Sequence, residues 1–151
     1  MSSTEIKPFV GYADLVLGQT RDQVAELLGK PDDMWDLEGK GECFVWEYDN
    51  YSLMFDDEHD MRLSGITVAD INAEVFGLAV FNQPLDSVAQ HLKLKGIEFE
   101  IIEDEEEANL CDLDMEDHGI SLHFQDKLCI NIEIYPEYLD DGETVVWPTN
   151  S

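Results

Sequence analysis

Near-repetition of its own sequence is what most constrains this chain. Residues 16–28, VLGQTRDQVAELL, align without a gap on residues 80–92, VFNQPLDSVAQHL. Val, Gln, Asp, Val, Ala and Leu coincide at 16/80, 19/83, 22/86, 24/88, 25/89 and 28/92. Downstream, SLMFDD (52–57) matches SLHFQD (121–126) at Ser, Leu, Phe and Asp, at an offset of 69 residues against 64 for the first match. Two matches in the same order at nearly one spacing point to a duplicated unit. The chain has 151 residues and 44% hydrophobic residues, enough to fill a core shared by two small halves. We therefore expect one compact α+β domain made of two tandem units, each a short helical segment packed on an antiparallel β-meander. The first unit is expected over 1–73, the second over 74–135, and a C-terminal tail packed on the domain over 136–151.

Each unit reads locally in the same way. Thr20 is placed to cap a helix and Gln23, three residues on, to complete a capping box. Val24, Leu27 and Leu28 follow as an apolar stripe at helical spacing. Gly29 supplies a left-handed end and Pro31 blocks continuation, so the helix spans about ten residues. In the second copy Pro84 is expected at the first helical position, where its missing N–H costs nothing. CFVWEY (43–48), YSLMF (51–55) and MRLSGITVA (61–69) alternate as strands, with turns at Asp49-Asn50 and over 56–60 and a candidate bulge at Gly65. CDLDME (111–116), ISLHF (120–124) and KLCINIEI (127–134) form the second meander. The segment 96–108 reads as a strand running into an acidic loop.

The pattern Gly18-x-Thr20-x-x-Gln23-Val24-x-x-x-Leu28-Gly29-x-Pro31 resembles the repeat signature of the β-lactamase-inhibitor-protein-like fold. It is similar, too, to the signature in the small outer-membrane lipoproteins that assist barrel assembly. The resemblance covers roughly residues 12 to 135. In the second copy both glycines are missing, and Lys93-Leu94-Lys95-Gly96 stands where Gly-x-Pro is expected. The resemblance implies helical hairpins on an antiparallel sheet and a scaffold that binds other proteins. It carries over no contact residue, because the matching positions only start and stop a helix.

Charge narrows the function classes. With 35 Asp plus Glu against 8 Lys plus Arg, the net charge is −27. Such a field repels nucleic-acid phosphates and anionic membranes and attracts basic proteins. The N-terminal residues carry no secretion or lipid-attachment signal, no run approaches the roughly 18 apolar residues of a membrane span, and the three cysteines (43, 111 and 129) form no framework. A cytoplasmic, bacterial protein is expected, with no nucleic-acid or membrane partner. No catalytic motif, cofactor loop or metal site is read. The stretch DLDMEDHG, for example, has Asp117 and His123 where a calcium loop needs Gly and Glu.

In the second meander, Leu113, Met115, Leu122, Phe124, Ile130, Ile132 and Ile134 are expected to face the helix. Asp112, Asp114, Glu116, Ser121, His123, Cys129, Asn131 and Glu133 are expected to form an open acidic face, extended by Glu103, Asp104, Glu105, Glu106 and Glu107. The partner-binding set is then Glu103–Glu107, Asp112, Asp114, Glu116, His123, Asn131 and Glu133, unless that face is merely solvated. The expected function is an inhibitor or immunity protein that occludes a basic partner, such as a bacterial toxin or nuclease. The alternatives are an adaptor or assembly factor using apolar contacts, and an acidic DNA mimic.

Overall fold

The computed structural model describes residues 5–37, 43–56, 61–107, 109–139 and 144–147. It is a mixed α+β fold, mostly sheet. Two helices, α1 (Arg21–Leu28) and α2 (Leu85–Leu94), accompany an eight-stranded antiparallel sheet. Its strands are β1 (Asp33–Leu37), β2 (Cys43–Glu47), β3 (Tyr51–Asp56), β4 (Arg62–Val68), β5 (Glu100–Glu103), β6 (Leu110–Met115), β7 (Ile120–Gln125) and β8 (Leu128–Ile134). In space their order is β1-β2-β3-β4-β8-β7-β6-β5. The last strand of each meander meets the other at the centre, where Thr67 stands opposite Glu133. A two-residue ribbon precedes each helix: Gly11–Tyr12 with Leu15–Val16 before α1, and Glu74–Val75 with Leu78–Ala79 before α2.

Local chemistry sets the helix ends. The Thr20 side chain accepts from the Gln23 N–H, and the Gln23 side chain accepts from the Thr20 N–H, so the capping box is complete. Gly29 takes φ +78°, a region open to glycine without strain, and the Tyr48 hydroxyl donates to its carbonyl at 2.9 Å. The helix is eight residues long, two turns, and buries Val24 fully and Leu28 in part. Leu27 is 46% exposed, against expectation, because so short a helix presents a narrow inner stripe. At the start of α2, Pro84 is the N-cap itself, one residue earlier than expected. Its φ of −65° and ψ of 145° are extended, and it offers no side-chain acceptor. Among the described residues, one α-helix precedes each meander, where the resemblance implied a helical hairpin.

One face of the sheet meets Val24, Val88 and Leu92 of the helices. Leu53, Phe55, Leu63, Ile66, Val68, Leu113, Met115, Leu122, Phe124, Ile132 and Ile134 are all buried there. Both meanders break register at the same place, between Met54 and Phe55 and between His123 and Phe124. In the first, Phe55 pairs with Leu63 and Met54 with Gly65, so the bulge lies beside Gly65 as expected. In the second, Phe124 pairs with Cys129 and His123 with Asn131. That bulge reverses side-chain parity at the start of β8. Cys129 enters the core and Ile130 turns toward the open face, the reverse of the alternation expected for them. Near the C-terminus Glu137–Tyr138 pairs with Val145–Val146, and Trp147 packs against the core beside Gly18. The expected turn over 56–60 lies largely outside the described residues.

Candidate functional site

The sheet face opposite the helices is defined by its pairing register. Across all eight strands runs a single row: Asp33, Glu47, Ser52, Thr67, Glu133, Ser121, Asp114 and Glu100. Five of the eight are carboxylates and none is Lys or Arg. Side chains alternate across a strand, so this row faces away from the neighbouring core row of Trp46, Leu53, Ile66, Ile134, Ile120 and Met115. Arg21, by contrast, lies on α1 with its guanidinium 5.4 Å from the Phe44 ring, and Arg62 donates to the Gly18 carbonyl at 2.9 Å.

A second, shorter row lies beside the first in the second meander: Asn131, His123, Asp112 and Ile102. His123 Nδ1 is 2.6 Å from Asp112 Oδ1 and Nε2 is 3.9 Å from Glu133 Oε1. A carboxylate only accepts, so Nδ1 carries the hydrogen of the short contact. Asn131, His123, Asp112 and Ile102 border an open groove of about 590 Å³ with Thr67, Glu103, Asp104, Glu105 and Ile130. Asn131 Oδ1 is buried there without a hydrogen-bond partner.

Tyr135, just past β8, reaches over β7 and donates its hydroxyl to Asp114 Oδ1 at 2.6 Å. Burial, and then the Asp114 carboxylate, raises its pKa well above the ordinary tyrosine value. Ser121, between Asp114 and Glu133 in the row, is only 7% exposed.

Of the expected partner-binding residues, Glu103, Asp104, Glu105, Asp112, His123 and Asn131 come together around the large groove. Asp114 and Glu116 lie apart from it, around a smaller hollow with Glu98, Glu100 and Asp117. Glu133 borders a third depression. Glu106 and Glu107 line none of these. Their backbone N–H groups donate to Asp104 Oδ1 at 2.8 and 2.9 Å, bonds that lower the Asp104 pKa. Glu106 and Glu107 thus close a self-capped turn beyond the edge strand.

The sequence reading missed the half of the face contributed by the first meander. Glu47, Ser52, Met54 and Thr67 occupy it, and the Ser52 hydroxyl donates to Glu47 Oε1 at 3.0 Å. The signal was available, because these residues are out of phase with Trp46, Leu53, Phe55 and Ile66. Val45, Ser52, Met54, Ser64, Gly65, Thr67, Glu133 and Tyr135 enclose the third depression, a mainly apolar notch of about 270 Å³.

Among the described residues, no group of three or more His, Cys, Asp or Glu side chains is arranged to hold a metal ion, and no helix is long and apolar enough to cross a membrane. Comparison of the chain with protein-family models, curated proteins and solved structures returns no match.

Proposed function

We propose that this protein is a binding module whose open sheet face docks a basic protein, in the manner of an inhibitor or toxin-immunity protein. The observation that carries the proposal is the eight-residue row, with five carboxylates and no basic side chain. A rigid sheet presents these charges at fixed spacing with little ordering cost on binding. Complementary charge then speeds encounter with a basic surface and rejects acidic ones. Occlusion of a basic cleft requires no chemistry from the inhibitor, in keeping with a reading in which the protein is not an enzyme.

The proposal includes a history for the scaffold. Two tandem units, similar to those of the β-lactamase-inhibitor-protein-like fold, would each contribute a ribbon, a helix and a four-stranded meander. Equivalent order, the coincident bulges and the aligned Ser-Leu-x-Phe segments support this reading.

Capture with a tagged copy in lysate of the source cells, or of a competing strain, tests the function. A basic protein retained at about 50 mM salt and released at several hundred mM, where screening acts within about 10 Å, is the expected outcome. The variant combining Asp112→Asn, Asp114→Asn and Glu116→Gln should bind it about tenfold or more weakly. A partner that resists high salt and ignores the variant would instead indicate an adaptor with an apolar interface.

A further inference from the structure

The notch over Gly65 is a mainly apolar depression on a face rich in carboxylates. Val45, Met54 and Gly65 stand side by side on β2, β3 and β4, since Val45 pairs with Met54 and Met54 with Gly65. Met54 is 37% exposed. Glu133 borders the same notch from β8, with Ser52 and Thr67 of the acidic row between. Tyr135 borders it too, held by its bond to Asp114. At about 270 Å³ the notch falls just below the ~300–1,000 Å³ of pockets that enclose small-molecule ligands. It has room for one long side chain.

Gly65 lies beside the bulge of β4, yet neither its φ nor its surroundings exclude a side chain. Its φ is not in the left-handed region, and a Cβ there would meet only Met54 Cβ, at an ordinary 3.5 Å. Glycine inside a strand weakens it, and often marks a bulge, as here, or a place where something approaches closely. What Gly65 provides is an open floor between Met54 and the acidic row.

We propose that this notch is a slot for a single arginine side chain of the basic partner. The inference rests on the face being the docking surface and adds the chemistry of one contact. Long cationic side chains lay their methylenes along apolar surface and keep their heads at a polar rim. Val45, Met54 and Gly65 supply that surface and Glu133 the rim carboxylate. Arginine fits better than lysine, because its guanidinium is less strongly hydrated and binds a carboxylate through two parallel N–H groups. The neighbouring row charges receive the flanking basic residues.

The test uses the full chain, labelled for NMR at Met methyls and backbone amides. It is titrated with the peptide acetyl-Lys-Gly-Lys-Gly-Arg-Gly-Lys-Gly-Lys-amide and with a twin of equal charge carrying Lys at the centre. The arginine peptide is expected to shift the Met54 methyl and the Gly65 and Thr67 amides, and to bind about fivefold more tightly than its twin. Gly65→Val, which suits a strand and fills the floor, should erase that advantage, and Gly65→Ala should reduce it. Equal binding of the two peptides, with shifts confined to Asp112, Asp114 and their neighbours, would overturn the slot and leave the acidic face as the docking surface. No shift with either peptide would overturn both.

Discussion

Met54 and His123 occupy the same place in two similar frames. Each follows Ser-Leu and precedes a buried Phe, and each sits at the register break of its meander. Their neighbours correspond as well. Val45 and Gly65 flank Met54 where Asp112 and Asn131 flank His123. Behind them, Phe55 and Phe124 are both buried. In front, one triplet makes an apolar notch and the other an acid-lined groove. The inward residues must fill a shared core, and packing tolerates little change in them. The outward residues lie free of that packing, and there the two meanders differ.

The largest test of this comparison lies in the core. Phe55→Ala and Phe124→Ala should each cost about 3–5 kcal/mol in urea unfolding, and by similar amounts. A twofold disparity would mean that the two frames do not carry equivalent loads.

High pH should destabilise both frames. Burial pushes the Cys129 thiol up to about 12, and burial followed by nearby carboxylates raises Tyr12, Tyr51 and Tyr135 above the ordinary tyrosine value. A group whose folded pKa is raised holds its proton longer than the unfolded chain does. Its stabilising effect is therefore complete below the unfolded pKa and is lost as pH rises toward the folded one. Thermal unfolding should show a falling midpoint from about pH 9 upward, with tyrosine ionisation following unfolding; free titration of all tyrosines near pH 10 in the folded protein would contradict the burial.

A smaller contrast separates the helix starts. Thr20→Ala removes the capping box of α1 and should cost about 1 kcal/mol. Pro84 makes no side-chain cap bond, so Pro84→Ala should cost markedly less. Equal losses in chemical denaturation would show that the box contributes nothing. Smallest of all, raising salt from about 50 to about 500 mM should lift the melting midpoint by a few degrees, because screening relieves the repulsion implied by a net charge of −27. A drop in the midpoint would count against that repulsion.

Elements with a strong local cause were legible in the sequence. Thr20, Gln23 and Gly29 announce α1 because caps act within one turn, and Gly65 announced its bulge. Strict alternation identified Asp112, Asp114, His123 and Glu133 on the outer face. Alternation failed at Cys129 and Ile130, because a bulge set by pairing with β7 shifts the phase and nothing in β8 alone encodes it. The order of the eight strands, and with it the row from Asp33 to Glu100, depends on β4 meeting β8 across long sequence separation. The notch needed both meanders in place, since Glu133 and Tyr135 complete a site begun by Val45, Met54 and Gly65.

The central claim is that the arrangement of charge on one face, and not its total, recruits a basic partner. Two variants with the same change in net charge separate these. One combines Glu100→Gln, Asp114→Asn and Glu133→Gln in the row, and the other Asp22→Asn, Glu26→Gln and Asp86→Asn on the helices. Calorimetric titration with the captured basic protein should show the row variant weakened by about tenfold or more and the helix variant nearly unchanged. Equal weakening of the two would reduce the face to bulk charge and contradict the account.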